Sequence, residues 1–300
     1  MGNALTTLTH TLLASGPGLE GFKAALLPLS AFASNFSADA ANRGDKIKVA
    51  WVGAQDAAVT FAGTYVMQDA DMEGRDITLD KHEFVSWSLS DKELADNPQV
   101  NLERFARQKG FQLGKKVFQD IMSLVTAAAY GDTEGTDKLT TSAANFDADD
   151  VVDLSTMCDG KDFPDMDRSL ILLPSYHGAI RKSLNDASVF GSDAVVRQGA
   201  VPSLDTFSGV FKSSLIPTNS ENLVGMALHA DAILCAMRYL APQAGIPYTQ
   251  AQPITDPDTG FTFGFREWGD PNTGTMKRVL ECVYGRRTGN TSAIVRIESA

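Results

Sequence analysis

The four histidines of this chain are its side chains best suited to acid–base or metal chemistry near neutral pH. They are His10, His82, His177 and His229, which lie far apart in sequence and have no ligand-like residues nearby. The flanking patterns predict that His82 lies in a strand and that His229 opens a helix. We therefore expect structural roles for all four.

Ser175 and His177 have the chemistry of a nucleophile and its general base. The sequence predicts that both lie on a helix that follows Pro174. Residues two apart on a helix point to different sides, so these two side chains are not expected to form a catalytic pair. Ser175 is expected to cap the helix instead.

An acidic stretch is a second candidate site, because calcium prefers carboxylate ligands. Eight aspartates fall within 21 residues: Asp147, Asp149, Asp150, Asp153, Asp159, Asp162, Asp165 and Asp167. The spacing of an EF-hand, with its glycine and terminal glutamate, is absent. A solvated acidic face is the favoured interpretation.

Two further groups could bind ligands. Phe261, Phe263 and Phe265 alternate along a strand and could stack on a ligand, although buried strand aromatics are the better interpretation. Arg286 and Arg287, predicted in a glycine-flanked turn, could contact a phosphate or an acidic neighbour. The phosphate-loop, dinucleotide, zinc-protease and serine-hydrolase motifs are absent. We expect no catalytic residue, no cofactor site and no metal site.

Composition narrows the function classes. The 300 residues include 26 Lys and Arg against 37 Asp and Glu, a net charge of −11. Tight wrapping of nucleic acid needs clustered cations and is disfavoured. No apolar run approaches the roughly 20 residues of a membrane-spanning helix. Three isolated cysteines favour a reducing compartment. A cytoplasmic globular chain is expected.

The first half of the chain is predicted to contain an arm, an excursion and a long helix. Residues 1–44 are expected to form an extended arm with a helical turn or two, and residues 45–89 a long two-stranded excursion with a polar middle. A helix of about 40 Å over residues 99–130 follows from one apolar stripe. Gly110 and Gly114 are expected to mark a bend in it.

The second half is predicted to be an α/β block followed by β structure. The predicted elements are an acidic helix over 146–157, strands over 168–173 and 209–214, a strand or helix start over 223–228, a helix over 229–240, and strands over 261–265, 279–284 and 293–297. No internal repeat is visible.

This order of elements resembles the major capsid protein of tailed bacteriophages, the Hong Kong 97-type fold shared with encapsulin shells. The likeness is greatest over residues 158–240, where Leu172-Leu173-Pro174-Ser175-Tyr176 opens a helix. The passage 205–217, with its strand, glycine and closing Ile216-Pro217, is similar to a recurrent passage of the family. Shorter likenesses occur over 80–85 and 284–287. The resemblance covers about 45–300 through element order and not through one diagnostic motif.

The resemblance implies an α+β fold with an arm, an extended loop, a peripheral domain built on a spine helix, and an axial α/β domain. The implied regions are a 1–44 N-terminal arm, a 45–80 extended loop lying over a neighbouring subunit, an 81–145 peripheral domain with its spine helix over about 99–130, a 146–245 axial domain, and 246–300 return strands completing the peripheral domain.

The implied function is that of a structural subunit, not an enzyme, that self-assembles into an icosahedral shell around a double-stranded DNA genome. Its partners would be itself as pentamers and hexamers, a separate scaffolding protein, a portal, decoration proteins and packaged DNA held without sequence recognition. It would have no membrane partner, and the virion capsid would assemble in the cytoplasm of a bacterial host. Since no lysine occurs from residue 49 to 80, the lysine–asparagine cross-link of some relatives is not expected.

Two alternatives remain open from the sequence. An encapsulin-type nanocompartment shell would share the fold but hold enzymes rather than a genome. A soluble α/β enzyme or ligand-binding protein would use residues 146–245 and would show a deep pocket with convergent polar groups.

Overall fold

The computed structural model describes residues 14–31, 33–35, 46–52, 60–64, 72–96, 102–164, 167–185, 204–230, 232–257 and 259–300. The α-helices are α1 (Leu19–Leu26), α2 (Asp91–Asp96), α3 (Leu102–Met122), α4 (Ala127–Tyr130), α5 (Ala148–Gly160) and α6 (Pro174–Asn185). The strands are β1 (Ala33–Asn35), β2 (Lys46–Val52), β3 (Met72–Thr78), β4 (Lys81–Ser90), β5 (Lys138–Thr141), β6 (Arg168–Leu172), β7 (Phe207–Lys212), β8 (Leu223–Leu228), β9 (Ile233–Arg238), β10 (Gln250–Thr255), β11 (Thr262–Asp270), β12 (Thr275–Thr288) and β13 (Ile294–Ser299).

A six-stranded sheet is organised around β12, the longest strand. β12 pairs antiparallel with β4 on one side and with β11 and then β9 on the other, while β10 and β1 extend the sheet. Its inner face carries Phe263, Phe265, Leu280 and Tyr284 into the main core. The alternation along β4 is as predicted, because Val85 and Trp87 pack on this core while His82 lies on the outer face.

Helices α1 and α3 cover the inner face at unusually close range. A Cβ added to Gly110 would lie 2.1 Å from the carbonyl oxygen of Gly18, and one added to Gly21 would lie 2.1 Å from that of Arg107. Gly114 meets Phe22 and Ala25 in the same way. These glycines let two helix backbones touch, a role that the sequence analysis did not predict.

The N-terminal segment is more regular than the predicted extended arm. Residues 14–31 form a π turn, helix α1 and a 3-10 turn in succession. Phe22, Leu26 and Leu29 are fully buried in the main core, and the Phe22 ring lies 4.9 Å from the Phe263 ring between centroids. The segment completes the core of the chain, because it supplies the apolar face that α3 would otherwise expose.

The spine helix is shorter than the predicted 99–130, since α3 ends at Met122. The Asn219 amide donates hydrogen bonds to the carbonyls of Met122 (3.0 Å) and Val125 (2.6 Å). The Glu221 carboxylate accepts the Ala127 N–H at 2.9 Å, which starts α4. A distant loop thus satisfies the backbone groups of the break, a long-range effect that the apolar stripe could not reveal.

A five-stranded sheet of order β5-β13-β8-β6-β7 forms the second layer, with α5 and α6 packed on its core. The acidic helix predicted over 146–157 is observed as α5, and Asp147, which the sequence analysis placed inside the helix, caps it by accepting the N–H groups of Asp149 and Asp150. The predicted cap of α6 is wrong. Ser175 lies inside that helix, which starts at Pro174, a residue favoured at the first helical position.

Sheet membership differs from the predicted grouping in two places. The predicted helix over 229–240 is wrong, because β9 is a strand of the six-stranded sheet, paired with β1 and β12. Ile233 to Met237 are all buried, so a strand buried on both faces reads as a continuous apolar run that spacing cannot separate from a helix. β13 joins the five-stranded sheet between β5 and β8, apart from β10–β12.

β2 and β3 form a separate two-stranded antiparallel sheet, in agreement with a two-stranded excursion after residue 45. The following strand β4 belongs instead to the six-stranded sheet. Among the described residues, no helix is both long and apolar enough to cross a membrane.

Candidate functional site

The structure keeps the predicted histidines apart. His82 is half exposed on β4, with Nε2 3.3 Å from the Glu281 carboxylate. His229 follows β8 in a loop and does not open a helix, and its ring packs 6.4 Å from the Phe163 ring between centroids. His10 lies outside the described residues. The described histidines therefore do not converge on one site.

Ser175 and His177 do not meet, as their spacing on α6 predicts. Ser175 is exposed, whereas His177 is buried. Burial and the nearby cations Lys212 and Arg181 lower the pKa of the His177 imidazole, which favours its neutral form. The imidazole is a packed neutral group without a nucleophile beside it on that helix.

The acidic stretch is used structurally. Asp147 and Asp150 form a reciprocal capping box, and Asp159 lies 2.7 Å from the fully buried Arg168 guanidinium. Arg168 also donates to the carbonyl oxygens of Phe163 (2.7 Å) and Pro164 (2.8 Å). Within the ranges that the structure describes, no three His, Cys, Asp or Glu side chains are grouped to hold a metal ion. One aspartate of the stretch, residue 165, is outside those ranges.

The aromatic strand is buried, as expected for core packing. Phe261, Phe263 and Phe265 are each at most 1% exposed. The predicted arginine turn is wrong, because β12 continues to Thr288 and holds both arginines. Arg286 forms a two-pronged ion pair with Asp120 of α3, at 2.7 and 2.9 Å, and ties the sheet to the spine helix.

Arg296 is the centre of a buried ion network that sequence reasoning missed. Its guanidinium, fully buried on β13, donates to Glu298 (2.5 Å), Glu221 (2.6 Å) and Asp132 (2.9 Å). Lys138 of β5 adds contacts to Asp132 (2.8 Å) and Glu298 (3.2 Å). The sequence contains a signal for this network, since Arg296 stands inside the apolar run 294–297. A cation buried there needs carboxylate partners, because an unpaired buried charge is too costly.

The two-stranded sheet is attached to the outer face of the six-stranded sheet at its base. A small core of Ile47, Val49, Ile77, Leu79, Leu234, Ala236 and Val283 joins them. The Arg75 guanidinium donates to the Gly289 carbonyl at 2.6 Å, and that of Arg287 to the Asp76 carbonyl at 2.9 Å. Val52 lies opposite Met72 at the far end of the ladder. The end of the ladder that carries Lys46 and Thr78 is therefore the base, which is packed against the six-stranded sheet.

The rest of the outer face is polar and aromatic. Arg266 pairs with Glu281 at 2.5 Å and lies over the Tyr248 ring, 5.3 Å from its centroid. Tyr248 in turn packs edge-on against Trp268 at 5.9 Å. Beside this cluster the Phe84 side chain of β4 is 62% exposed.

The α/β lobe has an open depression of about 510 Å³ between α6 and the loop that precedes α5. Its polar lining comes from Asn145, Asp147, Ser175, Lys182 and Ser183. Ser175 is exposed at this depression, whereas the buried His177 is not among the residues that line it.

Charge is distributed unevenly between two helices. On α3 the sixteen residues from Arg104 to Gln119 contain five cations and no acid, although the whole chain carries a net charge of −11. Among these cations, Arg107 pairs with Glu20 at 2.6 Å and Lys116 with Glu83 at 3.9 Å. The exposed face of α5 is acidic. Extended faces of opposite charge suit recognition over a surface more than binding in a pocket.

No protein-family model matches the sequence, and no curated protein matches it. Solved structures match over nearly the whole chain. The fold is similar to the capsid of the cyanophage P-SCSP1u (TM-score 0.61, 14% identity, 90% of this chain and 86% of that one). It is also similar to the mature capsid of bacteriophage PhiM1 (TM-score 0.59, 9% identity, 90% of this chain and 85% of that one). A third similar structure is a virus-like particle from Pyrococcus furiosus (TM-score 0.52, 14% identity, 95% of this chain and 97% of that one).

Proposed function

We propose that this chain, which has the fold of tailed-phage major capsid proteins, is the structural subunit of an icosahedral shell that encloses double-stranded DNA. The observation that carries the proposal is the match to two phage capsids over about nine-tenths of this chain. We propose no catalytic, cofactor or metal role for any of its residues.

In this proposal the five regions have distinct tasks in the shell. Residues 1–44 are the N-terminal arm, 45–80 the extended loop over a neighbouring subunit, 81–145 with 246–300 the peripheral domain, and 146–245 the axial domain. Sheet pairing adjusts this division, because β9 lies in the peripheral sheet and β13 in the axial one. Attachment of β2 and β3 at their base supports the loop assignment.

The partners proposed are further copies of the chain in pentamers and hexamers, a scaffolding protein, a portal, decoration proteins and packaged DNA, with assembly in the bacterial cytoplasm. The acidic net charge supports contact with DNA that is loose and independent of sequence, since few phosphates would be neutralised. Many modest interfaces repeated by symmetry would hold the shell together.

Electron microscopy of the purified chain, with light scattering alongside, tests this function. Closed shells are expected, either from the chain alone or after addition of a scaffolding protein. A clean monomer at every concentration, with and without scaffold, would overturn the proposal.

A loop variant gives a sharper test. Because Val52 lies opposite Met72, replacing residues 53–71 by Asn-Gly would close β2 and β3 with a short hairpin turn. The variant should fold normally but fail to form closed shells. Normal shells from this variant would contradict the role assigned to the loop.

An encapsulin-type shell is the second candidate, favoured by the match to the virus-like particle from Pyrococcus furiosus, which covers 97% of that chain. The two candidates differ in content. Nuclease-protected DNA in native particles would support the phage shell, whereas an enclosed protein cargo without DNA would support the nanocompartment.

A further inference from the structure

Helix α3 carries a cationic surface on an acidic chain. The sixteen residues from Arg104 to Gln119 have a charge of +5 in a chain of net charge −11, so the rest of the chain carries −16. The five cations are Arg104, Arg107, Lys109, Lys115 and Lys116. A local excess of this sign points to an anionic partner at this surface.

Glutamines stand among these cations. One side of the helix carries residues at successive spacings of four, four, three and four: Arg104, Gln108, Gln112, Lys115 and Gln119. Gln108 and Gln112 are exposed, as is Arg104. The three glutamines and the five cations together form the basic face of α3. All of these side chains donate hydrogen bonds, and none is a carboxylate.

The carboxylates near the basic face of α3 do not neutralise it. Arg107 pairs with Glu20 at 2.6 Å, with both side chains exposed, and Lys116 lies 3.9 Å from Glu83. Exposed ion pairs of this kind contribute little to stability, so a phosphate can replace either carboxylate. A third carboxylate, Glu103, is exposed just before the run. The five cations therefore remain in excess.

The residue types of this face favour a phosphate backbone over a protein partner. Protein–protein interfaces have an apolar centre and are depleted in lysine. In the run from Arg104 to Gln119, Phe105 is the only large apolar side chain that is exposed, at 43%. Arginine, lysine and glutamine are among the side chains that contact the backbone of DNA.

We propose that the basic face of α3 contacts the phosphate backbone of the DNA enclosed by the shell. At about 1.5 Å per residue the run is about 24 Å long, and a duplex carries one charge per about 1.7 Å of its axis, so several phosphates lie within reach. Contacts to phosphates carry no sequence information. The inference rests on the proposed function and names the surface through which the shell meets its genome.

Binding of a labelled duplex to the unassembled full-length chain tests the contact. For a mixed-sequence duplex of about 30 base pairs in about 50 mM salt, K109Q/K115Q/K116Q should weaken binding about tenfold or more and lower the slope of log affinity against log salt by about 2.7. Fluorescence anisotropy measures both quantities.

The control R181Q/K182Q/K212Q removes the same charge from exposed positions on α6 and β7. It should change the affinity for the duplex less than about twofold, because these cations lie outside the proposed contact. Equal losses in the two variants, or an unaltered chain that does not bind the duplex, would overturn the inference.

Shell formation by the same variants separates this inference from the shell function. If K109Q/K115Q/K116Q forms shells normally and binds the duplex as the unaltered chain does, the shell function stands and the inference fails. If the unaltered chain forms no shells with or without scaffold, but the variant loses duplex binding, the shell function fails and the DNA contact stands. A lower yield of shells with unchanged duplex binding would assign the face to an acidic protein segment and overturn the inference.

Lysine acetylation in native particles tests the contact after assembly. Lys109, Lys115 and Lys116 should react about threefold less, or lower still, in full particles than in emptied ones, because bound phosphates shield them. The control is Lys277, which lies opposite Ser88 on the outer face of the six-stranded sheet and is 41% exposed. It should react equally in both, as read by mass spectrometry. Equal reactivity of the α3 lysines in full and emptied particles would contradict the proposal.

Discussion

The elements packed against the two large sheets are held in place by different kinds of contact. On the six-stranded sheet, α1 and α3 meet through glycines, so that backbone touches backbone, and the Arg286–Asp120 ion pair ties the sheet to α3. On the five-stranded sheet, buried arginines hold the junctions, with Arg296 joining three carboxylates and Arg168 one. A side-chain atom added at these glycines would force the two helices apart. Loss of a buried arginine would leave its carboxylate partners without their cation.

This difference shows where each half of the chain is vulnerable. Helix contact through glycine is insensitive to pH and salt, because it consists of dispersion and close packing. The arginine junction depends on charges that were removed from water, so each depends on its partner. Substitutions that break one closure should leave the other unaffected.

The largest effect is expected from R296M. Removal of the guanidinium leaves Glu221, Glu298 and Asp132 without their central cation, which should lower the free energy of unfolding by about 3–5 kcal/mol. R107M is the matched control: its pair with Glu20 is exposed, and a change below about 1 kcal/mol is expected. Denaturant unfolding measures both, and equal losses would contradict the contrast between buried and exposed arginines.

The next largest effect is expected from G110A. Its new methyl group would lie 2.1 Å from the Gly18 carbonyl oxygen, so α1 must move away from α3. Overpacking of this kind should cost about 2–3 kcal/mol.

The control G178A makes the same change in α6, where no atom lies within 4 Å of the new Cβ. It should stabilise the protein by about 0.5–1 kcal/mol through helix propensity. Thermal unfolding would show the opposite signs, and a harmless G110A would mean that the two helices do not meet through their backbones.

The smallest effect is expected in the pH dependence of stability at the five-stranded sheet. The ammonium of Lys161, 2.8 Å away, lowers the pKa of Asp137 below its ordinary value of 3.8. The unfolded chain therefore binds a proton more readily, so this contribution to stability is present above about pH 4 and is lost as the pH falls.

D137N should flatten the decline in the denaturation midpoint between pH 5 and pH 3, relative to the unaltered chain. Hydrogen exchange should place the acid-sensitive opening in β13 rather than in α1. An opening that appears first at α1 would contradict the assignment of pH sensitivity to the five-stranded sheet.

Local patterns predicted the elements whose cause is local. The acidic helix after residue 146, the alternation along β4 and the apolar run ended by Pro174 each depend on a few neighbouring residues. The helix predicted over 229–240 was wrong, because the burial of β9 on both faces is decided by β1 and β12, which are distant in sequence.

The same reason explains the other errors. The end of α3 depends on Asn219, almost a hundred residues away, and the role of Gly110 depends on Gly18. Two carboxylate partners of the buried Arg296, Glu221 and Asp132, are 75 and 164 residues away in sequence. Resemblance to a family gave the order of elements, but side-chain contacts of this kind require the folded chain.

The pairing of β4 with β12 has a consequence in time. His82 and Glu281, whose side chains lie 3.3 Å apart on these two strands, are separated by 199 positions. At ribosomal speeds of 5–20 residues per second, β4 waits about 10–40 s before its partner strand is made. During that interval β4, whose residues 84–90 carry no charge, has no β12 to pair with. We therefore expect this part of the nascent chain to need protection from other chains until the sheet forms.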